Sequence, residues 1–198
     1  LVRRFNRTGS GRAEFHRVDI SIQAEVRGVA SSIAERHPQI DVLINNAGAR
    51  FDIYQQTPEG FERTFATNHL SHFLLTWLLL DSLRRAPTAR VITVTSGSHS
   101  VADLRRGWQL TAADFDRRIA YANSKLANLI FAYQLAHRLN ATTVTSNAVD
   151  PGGVATNFAR NNGLFSWARH LLAHGLRAEL VSAKRGAEGI VWLARSQE

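Results

Sequence analysis

The sequence predicts an α/β fold in which a parallel sheet is covered by helices on both faces. Short apolar runs rich in β-branched residues alternate with amphipathic segments of a dozen residues or more. Each apolar run also ends in a polar or glycine-containing loop. Because a helix between two strands returns the chain to the same end of the sheet, this alternation predicts βαβ units and a parallel sheet.

The first predicted elements lie between residues 15 and 48. Residues 15–19 are predicted to form a short strand, and Ser21 is predicted to cap a helix over residues 22–36, whose apolar residues recur at helical spacing. Residues 41–44 form the next apolar run, and we expect a strand there. That strand leads directly into the loop Asn45-Asn46-Ala47-Gly48.

The later elements continue the alternation of helices and strands. In chain order they are a helix that starts at Thr57-Pro58 and runs to about residue 85, a strand over residues 90–95, a helix over 120–140, a strand over 143–149 and a glycine-broken amphipathic helix over 164–195. The loops after Ile44, Thr95 and Val149 follow the carboxyl ends of strands. Because ligands of parallel sheets bind beyond those ends, we expect the functional site at this edge.

The composition is that of an ordinary globular protein, with 44% hydrophobic and 20% charged residues among 198. We expect one domain over residues 1–198. The absence of Cys excludes disulfides, a thiolate nucleophile and cysteine-ligated metals. The sequence contains no apolar run near the roughly 20 residues of a membrane span. It also has no signal-peptide pattern, so we expect a cytoplasmic protein.

The net charge of +8 leaves two interpretations open. A basic surface attracts anionic ligands such as a dinucleotide or a nucleic acid, whereas a general preference for arginine produces the same charge on a solvated surface. The arginines at positions 105, 106, 117 and 118 do not form a stripe interleaved with aromatic residues. We therefore predict no nucleic-acid partner.

Tyr121 and Lys125 are the first candidates for chemistry. They lie four positions apart at the start of a predicted helix and therefore share one face. A tyrosine hydroxyl has a pKa of about 10, and a neighbouring ammonium lowers that pKa and favours proton exchange with an alcohol or carbonyl. Such a pair also occurs by chance as a half-buried Tyr beside a solvated Lys. The pair therefore indicates a functional site only in combination with other polar residues at the ends of the strands.

Three further positions accompany the pair. Ser96 follows a strand, and its hydroxyl can bind the same substrate oxygen. Asn68 lies in an otherwise apolar helical segment, where its amide needs partners in the core or holds a water. Gly48 ends the loop after another strand, and without a Cβ it lets a flat ligand approach the backbone. Together with Tyr121 and Lys125 they predict one site.

Taken together, these segments resemble the short-chain dehydrogenase/reductase (SDR) family. The matching segments are Asp-Val-Leu-Ile-Asn-Asn-Ala-Gly at 41–48, Thr-Asn-His-Leu-Ser-His-Phe-Leu-Leu-Thr at 67–76, Val-Ile-Thr-Val-Thr-Ser at 91–96, Tyr-Ala-Asn-Ser-Lys-Leu-Ala-Asn at 121–128 and Asp-Pro-Gly at 150–152. The 121–128 segment and its spacing from Ser96 are most similar to the retinol-dehydrogenase-like branch. The resemblance implies a Rossmann-type doubly wound sheet, NADP(H) rather than NAD(H), and a small lipophilic alcohol, aldehyde or ketone as substrate.

The resemblance also implies a role for each matching residue. Tyr121 would be the acid/base, Lys125 would lower its pKa and hold the nicotinamide ribose, Ser96 would orient the substrate oxygen, and Asn68 would hold a water that leads protons away. The implied cofactor contacts are Arg3 or Arg4 to a 2′-phosphate, Asp19 to adenine, Asn45, Ala47 and Gly48 on the adenosine side, and Pro151, Gly152 and Thr156 around the nicotinamide. The helices over residues 58–85 and 120–140 are those through which many members pair, which suggests a homodimer.

The sequence departs from the family pattern at both ends. The first strand with its glycine-rich turn and the last strand are not found, and Thr-Gly-Ser-Gly-Arg-Ala at 8–13 is interpreted as a loop because no strand precedes it. The chain also holds no Met, so we expect a longer natural protein. A non-catalytic module without a functional cofactor site remains the alternative function. No metal site is predicted, since His170 and His174 have no third ligand nearby.

Overall fold

The computed structural model describes residues 2, 6–7, 11–154, 158, 160–164, 168, 172 and 180–196. Its main sheet contains three strands, which are β1 (Val42–Asn45), β2 (Ala89–Val94) and β3 (Val144–Val149). The strands are parallel in the order β1-β2-β3, with Ile44 opposite Ile92 and Thr93 opposite Ala148. The three later strand predictions and the parallel α/β fold are confirmed.

The helices connect these strands in chain order. They are α1 (Gln23–Arg36), α2 (Arg63–Phe65), α3 (Ser71–Leu78), α4 (Leu80–Arg84), α5 (Arg117–Arg138), α6 (Ala183–Gly186) and α7 (Glu188–Arg195). A π-helical turn over Ala66–Leu70 joins α2 to α3, and 3₁₀ turns occupy Gly97–Val101 and Arg160–Asn162. Two short strands, β4 (Gly153–Val154) and β5 (Leu180–Val181), form a separate parallel pair beside the main sheet.

Helices lie on both faces of the main sheet. The Ser146 hydroxyl of β3 donates a hydrogen bond to the Ala132 carbonyl of α5. Gly189 of α7 lies against Val149, since a Cβ at Gly189 would stand 3.4 Å from a Val149 methyl group. Because successive strand residues face opposite sides, positions 146 and 149 belong to different faces. The doubly wound arrangement is therefore present around β3.

The main core lies between β2 and the helices on the α5 side. Its buried members are Leu83, Ala86, Ala89, Val91, Leu139 and Val144. The middle strand is the most completely covered, because Val91, Ile92 and Thr93 have no exposed surface. This burial on both faces explains why the sequence of β2 is a continuous run of mainly β-branched residues without polar alternation.

The strand predicted at residues 15–19 is wrong. These residues have no regular secondary structure and no strand partner among the described residues, and the Phe15 side chain is 76% exposed. A strand exists only through hydrogen bonds to a neighbour, which local sequence preference cannot supply. The predicted cap also moves by one residue. Ile22 is the N-cap of α1, while the Ser21 hydroxyl donates to the Asp19 carboxylate instead.

The helix predicted to start at Thr57-Pro58 begins later, at Arg63. Thr57 belongs to a turn that closes through a bond from its N–H to the Phe61 carbonyl. The buried Glu62 carboxylate caps α2, because it accepts hydrogen bonds from the N–H groups of the second and third residues that follow it. The predicted single helix is also interrupted by the π-helical turn and by a non-helical residue, Leu79.

The C-terminal prediction holds only in part. Helices α6 and α7 are present, but residues 180–181 of the predicted helix form strand β5 opposite β4. The strand forms there because β4 offers it a partner that lies far away in sequence. Residues 165–167, 169–171 and 173–179 of the same prediction, and with them His170 and His174, lie outside the described residues.

Candidate functional site

A cleft of about 840 Å³ opens at the carboxyl ends of β1, β2 and β3. Its walls come from the loops after these strands, from the first turns of α5, and from β4, β5, α6 and α7. Seven of the residues predicted for the site line it, and these are Ala47, Gly48, Ser96, Tyr121, Lys125, Pro151 and Gly152. The tertiary structure therefore brings the three strand-end loops together where parallel-sheet geometry predicts.

Tyr121 and Lys125 lie in the N-terminal half of helix α5, and several hydrogen bonds anchor this half of the helix. The Asp116 carboxylate caps the helix by accepting bonds from two N–H groups of its first turn. The Asn123 amide is buried and exchanges hydrogen bonds with both the N–H and the carbonyl of Asp103. The Thr95 hydroxyl donates to the Lys125 carbonyl at 2.8 Å, which ties the helix to the end of β2.

The Lys125 ammonium is deeply buried. Its Nζ donates a hydrogen bond to the Val94 carbonyl at 3.1 Å and lies 5.6 Å from the centre of the Tyr121 ring. The side chain is 3% exposed. Burial lowers the pKa of Lys125 to about 8, while the Asp150 carboxylate acts in the opposite direction.

The Tyr121 phenol and the Ser96 hydroxyl face the same cleft. Burial raises the pKa of Tyr121 to about 12, while the Ser96 hydroxyl and the charge of Arg50 act to lower it and the Asp150 carboxylate acts to raise it further. The sequence predicted a lowered pKa from the neighbouring ammonium. In the structure, burial outweighs the nearby positive charge, and the Lys125 ammonium donates its hydrogen bond to a main-chain carbonyl. The phenol is therefore protonated at neutral pH.

Asn68 anchors the loop that follows β1. Its amide accepts from the Ala49 N–H at 2.8 Å and donates to the Ala49 carbonyl and the Ser124 hydroxyl, each at 2.9 Å. A Cβ at Gly48 would stand 3.4 Å from Asn68 Oδ1 and 3.5 Å from Lys125 Nζ, so these three residues meet at one point. The π-helical turn directs Asn68 to this loop. Its role in holding a water stays a prediction.

Three of the described site predictions do not line the cleft: Asn68, which is fully buried behind it, Asn45 and Asp19. The buried Asn45 amide donates to the Thr76 hydroxyl at 2.9 Å, so it joins β1 to α3 inside the protein. Asp19 is hydrogen-bonded to Ser21 and forms an ion pair with Arg63 at 3.4 Å. The other predicted contacts, Arg3 or Arg4 and Thr156, lie outside the described residues.

Sequence reasoning missed two residues that line the cleft, Arg50 and Asn161. The Phe158 ring also lines the cleft and stands edge-on to Tyr121 at 5.4 Å between centres. The signal for Arg50 was its place two residues after the Gly48 loop. Nothing in the sequence indicated that Asn161 and Asn162 would both donate to the Arg50 carbonyl across more than a hundred residues.

In the described part of the chain, no three His, Cys, Asp or Glu side chains lie close enough together to bind a metal ion. Among the described helices, none combines the length and the apolar character that a membrane crossing requires.

A doubly wound parallel sheet with Ser, Tyr and Lys side chains at the carboxyl ends of its strands defines a dehydrogenase-type nucleotide-binding fold. The family model described as "short chain dehydrogenase" matches residues 1–165. The chain belongs to the short-chain dehydrogenase family and has its NAD(P)-binding Rossmann-type fold. The family recognised from the sequence motifs is thereby confirmed.

The chain is similar to retinol dehydrogenases. It is 34% identical to human retinol dehydrogenase 14 over 191 residues, which cover 96% of this chain and 57% of the relative. It is 38% identical to human retinol dehydrogenase 12 over 148 residues, 75% of this chain and 47% of the relative. The chain thus spans about half the length of these curated relatives. Among solved structures, the "Pseudomonas aeruginosa RhlG/NADP active-site complex" matches with a TM-score of 0.74 at 22% identity, covering 98% of this chain and 74% of that one.

Proposed function

We propose that this protein is an NADP(H)-dependent oxidoreductase that reduces the carbonyl group of small lipophilic aldehydes and ketones. One observation carries the proposal. Ser96, Tyr121 and Lys125 come from two separate elements and meet in one cleft beside Gly48. A purely structural role explains a half-buried Tyr or a buried Lys singly. It does not explain why a buried ammonium, a phenol and a serine hydroxyl lie together at one cleft.

The described residues fit the nicotinamide half of the cofactor. Gly48 leaves its Cβ position empty beside Lys125 Nζ, and Pro151 and Gly152 line the same cleft. Lys125 would hold the ribose hydroxyl groups there. The described residues contain no glycine-rich helix start for the pyrophosphate. The preference for NADP(H) is supported by NADP in the similar RhlG complex, and the lipophilic substrate by the similarity to retinol dehydrogenases.

When bound, NADPH supplies the hydride for the carbonyl carbon. The residues of this chain orient the carbonyl group of the substrate and donate the proton to its oxygen. Ser96 Oγ donates a hydrogen bond to the carbonyl oxygen, and Tyr121 transfers its phenolic proton to the same oxygen. With a pKa of about 12, the Tyr121 phenol is protonated at neutral pH, and it can donate its proton to the carbonyl oxygen as that oxygen gains negative charge. The proton lost from Tyr121 is replaced from solvent, and the alcohol leaves.

The test uses the full-length natural protein that contains this chain. NADPH binding is followed by nicotinamide fluorescence, and turnover is followed with a panel of apolar aldehydes. We expect Tyr121→Phe to keep NADPH binding and to lose about 10²- to 10⁴-fold in turnover, since only the proton donor is removed. Tyr133→Phe is the matched control, because Tyr133 lies on the same helix and is 71% exposed.

The alternative is a binding module that has lost its cofactor site. In that case neither the wild-type protein nor Tyr121→Phe binds NADPH, and no aldehyde is reduced. Equal turnover by the wild-type protein and Tyr121→Phe would instead show that another group donates the proton, and the proposed mechanism would be wrong.

A further inference from the structure

One face of the helical segment over residues 66–78 contacts the end of β1 and the loop that follows it. Asn68, His72 and Thr76 lie four positions apart, so they share this face. At one end the Asn68 amide exchanges hydrogen bonds with the N–H and the carbonyl of Ala49. At the other end the Thr76 hydroxyl accepts a bond from the Asn45 amide. His72 lies between these two bonded contacts.

His72 is buried, and its ring has no hydrogen bond. The side chain is 3% exposed, and neither ring nitrogen has a partner in the part of the chain that the structure describes. Burial lowers the pKa of His72 to about 3, the charges of Lys125 and His69 act in the same direction, and the Ala47 main chain acts in the opposite direction. The ring is therefore neutral, so one nitrogen can donate a hydrogen bond and the other can accept one. Buried polar groups of this kind normally have partners.

Two buried oxygen atoms in the same layer also have no partner among the described residues. They are Asn45 Oδ1 and Thr93 Oγ1. Asn45 of β1 and Thr93 of β2 are paired across the two strands, so their side chains stand side by side on one face of the sheet. The bond from Asn45 to Thr76 shows that this face is turned towards α3. His72 lies one helical turn before Thr76, so the unpartnered atoms of all three side chains belong to the layer between α3 and the two strands.

We propose that His72, Asn45 and Thr93 form a binding site for a buried water molecule, through which His72 positions the loop over residues 46–48 for the cofactor. A water can donate to Asn45 Oδ1 and accept from the Thr93 hydroxyl and from a His72 N–H, and about three partners are typical of buried water. The loop ends at Gly48, whose Cβ position lies 3.5 Å from Lys125 Nζ. The positioning role rests on the proposed function, because that function assigns this wall of the cleft to the cofactor.

The water site is tested by a crystal structure of the full-length natural protein at a resolution that shows ordered water. We expect a water within about 3 Å of a His72 ring nitrogen and of Asn45 Oδ1 or Thr93 Oγ1. The water should be absent from His72→Phe, whose ring fills a similar volume without nitrogen atoms. A wild-type structure in which the His72 nitrogens bond only to protein groups, or in which no water lies between these side chains, would overturn the site.

The positioning role is tested by NADPH affinity, followed by nicotinamide fluorescence. His72→Phe should weaken NADPH binding about five- to ten-fold, since a buried hydrogen-bond contact to the loop is lost. The KM for NADPH should rise while kcat at saturating NADPH stays within about two-fold, because the reacting groups are unchanged. His72→Gln keeps a donor and an acceptor and should recover most of the affinity. His69→Phe is the matched control, since the His69 ring bonds to Asn128 instead, and it should keep the wild-type affinity.

An unchanged NADPH affinity of His72→Phe, with thermal unfolding showing a folded protein, would overturn the positioning role. Equal weakening in His72→Gln and His72→Phe would also overturn it, because the hydrogen bonds would then not be the cause. If His72→Phe does not fold, Thr93→Val removes another partner of the water and should give the same loss of affinity. If the wild-type protein binds no NADPH, the positioning role fails together with the proposed function, and the crystal structure decides the water site separately.

Discussion

Replacing Lys125 by Met should stabilise the folded protein at pH 7. Burial lowers the pKa of Lys125 from 10.5 to about 8, and this difference corresponds to about 3 kcal/mol against keeping the ammonium in the folded state. This difference is already net of the bond that Nζ donates to the Val94 carbonyl. A methionine of similar length carries no charge, so we expect the free energy of unfolding to rise by about 3 kcal/mol.

The same argument predicts how the stability difference between the wild-type protein and Lys125→Met changes with pH. A lysine with a lowered pKa in the folded state binds fewer protons there than in the unfolded chain. The wild-type protein therefore gains stability as the pH rises from about 8 to 10.5, and below about 8 the full cost is present. Lys125→Met lacks this gain, so the two proteins should differ most at pH 7 and converge near pH 10.5.

The assay is urea unfolding followed by tryptophan fluorescence at several pH values. The chain offers a matched control, because Lys184 is the only other lysine and is exposed. Lys184→Met should leave both the stability and its pH dependence nearly unchanged. The reasoning would be refuted if Lys125→Met were less stable than wild type at pH 7, or if the difference did not change with pH.

Two further predictions concern packing and buried hydrogen bonds, and both are measured by urea unfolding. A Cβ at Gly186 would stand 2.5 Å from a Val154 methyl group, so Gly186→Ala should cost about 1–3 kcal/mol, and adding Val154→Ala should recover part of it. A Cβ at the exposed Gly28 of helix α1 would have no neighbouring atom within 4 Å, so Gly28→Ala should instead raise the free energy of unfolding by up to about 1 kcal/mol. Equal effects of the two glycine substitutions would contradict this reasoning. The buried Asn128 amide binds two main-chain carbonyls and a histidine, so Asn128→Leu should cost about 2–3 kcal/mol. Gln134→Leu, on the exposed side of the same helix, should change stability by less than about 0.5 kcal/mol, and a comparable loss there would show that the three bonds are not the cause.

The elements that could be predicted are those in which one residue pattern, such as a β-branched run or apolar residues at helical spacing, continues over several positions. β2 is a run of β-branched residues because it is buried on both faces, and α5 carries small or apolar residues at helical spacing along its buried side. The Tyr121 and Lys125 pair could be placed because helical geometry puts positions four apart on one face. The strand-end loops could be placed at one edge because all three strands are parallel.

Elements that depend on a distant partner could not be predicted. Residues 15–19 have strand-like composition but no strand partner among the described residues, whereas residues 180–181 look helical and pair with β4. Glu62 does not resemble a cap in the sequence. Its carboxylate becomes one because the turn before it is closed by Thr57 and Gly60, where the backbone of Gly60 has a φ of +87°.

The amino-acid sequence by itself determined the three strands of the main sheet, the family, and the residue types available for chemistry at the end of each of these strands. These depend on local periodicity and on short motifs, which act over a few neighbouring positions. Only the tertiary structure decided the ionisation of those residues and their surroundings. Whether the Tyr121 phenol is acidic or stays protonated depends on how deeply it is buried, and whether Arg50 faces the cleft depends on asparagines more than a hundred residues away. Burial and distant contacts arise when the chain packs, so no local pattern contains them.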